Sequence, residues 1–245
     1  MPSEYRLLDN MYISGLGCVY LPESETVGIS DLHLGFEIYM ESEGLFLPRL
    51  QMKLEIDRME SILREYAPER VVINGDVKHE FSRNTPQEWL EVRKLFDMLR
   101  SRTKVVVVRG NHDNYILNIA GRFGIRVARS LRAGGITFAH GDVVAGEEGR
   151  DCTVIGHEHP ALRVVDSVGA YTKFPVFLHL EKKRVLVLPA FSPFALGTDV
   201  LRGFDGFMSP YLKGAGPSEA VIYALGGGGL SRVGTVAEVI GTRDG

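Results

Sequence analysis

Between residues 26 and 155, a short apolar run rich in β-branched residues ends five times in a polar cluster: TVGIS leads into DLHLG, RVVIN into GDVKHE, KVVVV into RGNHD, ITFA into HGD, and CTVI into GHEHP. No other feature limits the fold as strongly. Apolar runs of this length, bounded by turn residues, read as largely buried strands. Each abrupt change to Gly, Asn, Asp and His places polar side chains on a loop whose position a rigid sheet holds.

The stretches between the runs have a helical period. Residues 48–66 place Leu50, Leu54, Met59, Ile62 and Tyr66 near one face, with Pro48 suited to the first turn. The stretch at 86–100 opens on TPQE, a capping box with Pro at the first helical position, and sets Trp89, Val92, Phe96 and Leu99 at helical spacing. Both predict helices that cover a sheet. After about residue 160 the pattern becomes mostly β, in LRVVD, VFLHLE, RVLVLPAF, AVIYAL, LSRVG and VAEVI. The GGGG at 226–229 reads as a hairpin turn, and 203–217 as an irregular excursion.

With 245 residues, 44% hydrophobic and 24% charged, the chain has the composition of a soluble globular protein, read as one domain over 1–245. It contains no apolar stretch of transmembrane length, and MPSEYRLLDN lacks a signal-peptide pattern, so a cytoplasmic location and no membrane partner are expected. Cys18 and Cys152 form neither a metal pair nor a disulfide framework and read as reduced, semi-buried residues. A net charge of −3 argues against a protein that coats nucleic acid, while leaving room for a local basic groove.

Six of the seven histidines fall in the polar clusters. Taken singly, each cluster is weak evidence, since Asp-x-His or Gly-Asp is usually a turn. As an ordered set, DLH, GD, GNHD, HGD and GHEH resemble the signature of the calcineurin-like metallophosphoesterases. That resemblance implies an α/β fold, a four-layer αββα sandwich of two mixed β-sheets flanked by helices. It implies a first metal held by Asp31, His33, Asp76 and His159, and a second held by Asp76, Asn111, His140 and His157. Mixed imidazole and oxygen ligation suits two divalent ions, with manganese expected and iron, zinc or cobalt also fitting. The implied reaction is in-line attack on phosphorus by a hydroxide shared between the metals, with His112 protonating the leaving group or stabilising its charge.

Asp113 and Asp142 are candidate partners of His112 and His140, with capping or turn roles as the alternative. His79 stands where many phosphatases of this family carry the Asp that orients the catalytic histidine. There the chain resembles SbcD-type nucleases, in which a histidine faces DNA near the metals; otherwise His79 is a surface residue of KHEF. DLHLGFE, GDVKHEF, GHEHP and LPAFSPFALGTD look like the small SbcD-related, PdeM-like phosphoesterases of archaea and bacteria. The expected substrate is therefore a phosphodiester, DNA included, with a phosphomonoesterase or a non-catalytic scaffold of the same fold as alternatives. Phe191 and Phe194 read as packing residues, with base stacking as the other option. Arg122, Arg126, Arg129 and Arg132 read as a solvated face, with a phosphate-tracking stripe as theirs.

Overall fold

The computed structural model describes residues 3–144, 152–195, 197–202 and 206–242. Seven strands form the first sheet in chain order: β1 (Glu4–Leu8), β2 (Met11–Ser14), β3 (Cys18–Leu21), β4 (Thr26–Ile29), β5 (Arg70–Asn74), β6 (Lys104–Val108) and β7 (Arg126–Ala128). Its first four strands run antiparallel as a meander, and β4 through β7 run parallel. The crossovers are helical: α1 (Phe36–Ser42) and α2 (Gln51–Tyr66) between β4 and β5, α3 (Pro86–Arg100) between β5 and β6, and α4 (Ile116–Ala120) between β6 and β7, of which α2 and α3 are the two that the sequence predicts.

The second sheet takes β8 (Ser130–Ala133), β9 (Ile136–Ala139), β10 (Cys152–Ile155), β11 (Pro160–Val165), β12 (Tyr171–Leu180), β13 (Val185–Val187), β14 (Thr198–Asp199), β15 (Ala220–Gly226) and β16 (Gly229–Thr235). It too is mixed, with β10 parallel to both β9 and β13, and β12 antiparallel to β11, β13 and β15. Gly227 and Gly228, at φ +59° and +79°, close the β15–β16 hairpin in the left-handed conformation such a turn requires.

Alternation along the strands makes the layers. Val72, Val108, Phe138, Val154 and Leu186 point between the two sheets, where they meet Met11, Ile13, Val19 and Leu21. Val71, Ile73, Val105 and Val107 face the opposite way, under Met59, Ile62, Val92, Phe96 and Leu99 of the helices. Ala139, Ile155, Val185 and Val187 form the outer face of the second sheet, covered by Tyr211, Leu212 and Val236. Four layers result, the last a thin one of 3-10 turns and α5 (Val236–Gly241). No helix among the described residues is long and apolar enough to cross a membrane. Both cysteines are free and fully buried, deeper than expected.

Three expectations need correcting. Pro48 lies ahead of α2, which begins at Gln51. Leu50 and Leu54 are 46% exposed, while Gln51 and Glu55 are buried in their place, because this end of the helix faces a polar loop. VAEVI is helical: Thr235 and Glu238 close a capping box that its strand-like alternation obscured. Of the excursion at 203–217, residues 203–205 lie outside the described residues, and Pro210–Leu212 and Pro217–Glu219 are 3-10 turns.

Candidate metal centre

All five polar clusters emerge at the same edge of the two packed sheets, and backbone hydrogen bonds lace them together. Asp31 N donates to Gly75 O, His33 N to Asp76 O, Leu34 N to Val77 O and Gly156 N to His140 O, at 2.8–3.1 Å. Asn74, the last residue of β5, sends Nδ2 across to the carbonyls of Ala139 and Val154, at 2.9 and 3.2 Å, tying one sheet to the other beneath the loops.

Nine non-glycine residues among those described have positive φ, and five of them are Asp31, His33, Asp76, His157 and His159. Left-handed backbone is costly for residues with a Cβ and survives where the surroundings over-determine it. Here it turns each side chain inward immediately after its strand. Gly75 and Gly110 make room: a Cβ on Gly75 would come within 2.1 Å of His140 Nδ1, and one on Gly110 within 2.2 Å of Asp76 Oδ1.

The side chains converge. Asp31, His33, Asp76 and His159 bring ligand atoms within 4.8 Å of one another, as do Asp76, His140 and His157. Asn111 joins the second group, its Oδ1 lying 3.0 Å from both His140 Nε2 and His157 Nδ1. Asp76 belongs to both groups through a single oxygen: Oδ2 is 3.7 Å from His33 Nε2 and 3.4 Å from His140 Nε2, whereas Oδ1 accepts the His112 N–H at 2.9 Å. His33, His79 and His112 form a third, neighbouring group.

Asp31 and Asp76 are buried, and among the described residues their ion-pair partners are histidines only. Burial opposes charge on these carboxyls, but His159 and His140 beside Asp31, and His140 and His33 beside Asp76, hold both below the usual carboxylate range. In return, burial works against a proton on His140, yet Asp76 and Asp31 hold that imidazole up to about 10. His33 is lowered to about 3, mainly by burial. Two buried carboxylates ringed by imidazoles and one amide oxygen are a donor set that suits divalent cations, whose charge would balance that of the carboxylates.

Around the ligands the partners are specific. His140 Nδ1 faces Asn74 O at 3.1 Å, so the expected partner Asp142 is replaced by a backbone carbonyl. The Nδ1–H of His112 donates to His79 O at 2.6 Å. With that proton fixed, Nε2 has no hydrogen-bond partner among the described residues. The His79 ring stacks on His112 with centroids 5.6 Å apart and places Nδ1 3.4 Å from His33 Nδ1; it is inside the site and not a surface residue. Burial first, then the neighbouring His112, lower His79 to about 4. Asp113 stands apart from the ligand atoms: its oxygens accept Val77 N–H and Gly110 N–H, each at 2.9 Å, and burial raises it to about 6. Glu158, between the two histidines of GHEH, accepts Ser209 N–H.

Several contributors carried no motif. Besides Asn74, Gln51 donates to the carbonyls of Leu32 and His33, at 2.7 and 3.0 Å, and bears on the loop carrying Asp31 and His33. A polar residue ending a valine-rich strand was the available signal for Asn74; Gln51 had none. Phe191 is core, with Arg58 3.8 Å over its ring, whereas Phe194 stacks near Phe36 and lines a cavity. The four arginines lie on an irregular turn and short strands and form no helical stripe.

A cavity of about 400 Å³ opens over the centre, lined by His33, Asp76, Asn111, His112, His157 and His159. One of about 750 Å³ adjoins it at Asn111 and His140, and one of about 450 Å³ at His159.

Two face-packed mixed sheets with a histidine–carboxylate cluster at their shared edge define the class of metal-binding α/β phosphoesterases. The chain belongs to the calcineurin-like phosphoesterase family, whose profile matches residues 26–209. The crystal structure of the Pseudomonas putida nuclease MPE shares the fold, with a TM-score of 0.68 at 20% identity over 92% of this chain and 98% of that one. A conserved Streptococcus pneumoniae protein described as a predicted phosphoesterase aligns with a TM-score of 0.31 and 14% identity, over 85% of this chain and 96% of that one. No curated protein matches the sequence.

Proposed function

We propose that this protein is a single-domain, dinuclear metal-dependent phosphodiesterase acting on nucleic acid or nucleotide-like diesters, with manganese as its metal. The observation that carries the reading is that Asp76 is shared by two ligand groups while His112, outside both, is held beside them with Nε2 free. When bound, two divalent cations supply activation of water and neutralisation of phosphate charge.

The protein's own groups supply the rest. His112, fixed through Nδ1 by the His79 carbonyl, acts as the imidazolium: it delivers the proton carried on Nε2 to the departing oxygen and is left as the neutral Nδ1–H tautomer, to be reprotonated from solvent. That carbonyl takes the orienting task a carboxylate has in related phosphatases, so His79 is a positioning residue, as is Asp113. Cavities on both sides of the centre give room to both esterified groups of a diester, whereas a monoester fills only one. The fold shared with a nuclease supports a polynucleotide substrate.

The test is a manganese-supplemented panel of bis-p-nitrophenyl phosphate, single-stranded DNA, cyclic nucleotides and p-nitrophenyl phosphate. Diester cleavage is expected; ready cleavage of the monoester alone would make it a phosphomonoesterase. Asp76→Asn is expected to lose both metals by elemental analysis. His112→Ala should keep them and lose roughly 10²–10⁴-fold in kcat. Fewer than two bound metals in the parent, with nothing lost in His112→Ala, would indicate a scaffold.

A further inference from the structure

The cavity beside Asn111 and His140 is lined by Arg109, Arg129, Asn114, Ser130 and Phe81, with Asp142 and the exposed Val143 and Val144 on its wall. Its two arginines are neighbours by register: Val108 pairs with Ala128 across β6 and β7, and Arg109 N donates to Ala128 O at 2.8 Å, which sets Arg109 and Arg129 side by side. Asn114 braces Arg109, accepting its Nη2–H at 2.8 Å and donating to Phe81 O at 3.3 Å. Phe81 is 54% exposed and meets His112 edge-on, with centroids 6.0 Å apart. Arg109 precedes the ligand Asn111 by two residues, about 7 Å of backbone, which is within the reach of one nucleotide.

We infer that this cavity is a subsite for the nucleotide flanking the scissile bond, with Arg109 and Arg129 binding its phosphate and Phe81 its base. The inference rests on the diesterase reading above. Two arginines at adjoining positions that both line the cavity can offer their guanidiniums to a phosphodiester, and an exposed ring in the same lining stacks any base without reading its identity. The chain's net charge of −3 leaves its long-range field unhelpful to a polyanion, so this local pair supplies the attraction. Asp142, also in the lining, limits the extent of the positive region.

A dinucleoside monophosphate carries only the scissile phosphate; a short oligothymidylate adds flanking ones. The parent enzyme should prefer the oligomer in kcat/KM. Arg109→Ala and Arg129→Ala should each reduce that preference roughly tenfold, mostly through KM, and Phe81→Ala by a similar factor. Arg126→Ala, which removes an exposed arginine of β7 outside this cavity, should leave the preference unchanged.

Binding of labelled oligothymidylate to His112→Ala protein, followed by fluorescence anisotropy, gives a readout independent of turnover. The slope of log affinity against log salt should flatten by about 0.7 for each cavity arginine removed. If the double arginine variant keeps both preference and slope, the subsite is wrong while the diesterase reading stands. If the parent cleaves neither substrate, the diesterase reading falls, and the salt slope alone decides whether the arginines bind a strand.

Discussion

At the scale of single residues, the centre depends as much on what is missing as on what is present. Gly75 holds φ at +92° with His140 Nδ1 in the space a Cβ would take. Gly75→Ala must therefore strain the backbone and displace His140. The expected cost is on the order of 2 kcal/mol or more in unfolding free energy, with loss of the second metal before the first. Denaturant titration with elemental analysis checks this; full occupancy with an unchanged midpoint would contradict it. The candidate ligands were readable from the sequence because each lies in a polar cluster that follows a strand. Asn74 and the His79 carbonyl were not, because a main-chain acceptor has no side-chain signature and Asn74 acts on strands 65 and 80 residues away.

At the scale of elements, α3 was predicted with its bounds and capping box, and both hold. Its first turn does more than cap. Glu88 accepts Thr85 N–H on Oε2 at 2.7 Å and Glu80 N–H on Oε1 at 2.6 Å, so the helix start holds the loop whose His79 carbonyl orients His112. Thr85→Ala should cost about 1 kcal/mol of stability and leave kcat near its parent value. Glu88→Ala should cost more and also lower kcat, since Glu80 N–H is released next to His79. Equal kcat in both variants would disconnect the cap from His112. Helix α5 was misread because VAEVI alternates like a strand over so short a span, although the capping box at Thr235 was present.

Across the whole molecule, sheet stacking brings polar groups of α2 into the interior above the metal-binding edge. Glu55 is buried beside Gln51, and burial pushes its carboxyl up to about 8 against the Gln51 hydrogen bond and the Arg58 charge, with Glu91 and Glu37 adding to the rise. In the unfolded chain this carboxyl ionises near 4.5. Its contribution to stability is therefore complete below pH 4.5 and is lost as pH rises to about 8, at up to about 1.4 kcal/mol per pH unit. Glu55→Gln should remove that dependence, so the variant gains on the parent between pH 5 and 8 in thermal melts. Parallel pH profiles for the two proteins would show that Glu55 is ionised in the fold.

The amino-acid order alone determined the five strands that carry the polar clusters, the two long crossover helices α2 and α3, and the ordered set of candidate ligands, because strand period, capping chemistry and residue type are local properties. It left open which helix residues would be buried, what would orient His112, and whether the arginines would gather. Those depend on which loops the two sheets bring to one edge. Gln51 and Glu55 are interior only because the DLH loop lies over them, and Arg109 and Arg129 adjoin only because β6 and β7 pair in one register. Contacts between residues distant in the chain exist only after the sheets have stacked, and no local period encodes them.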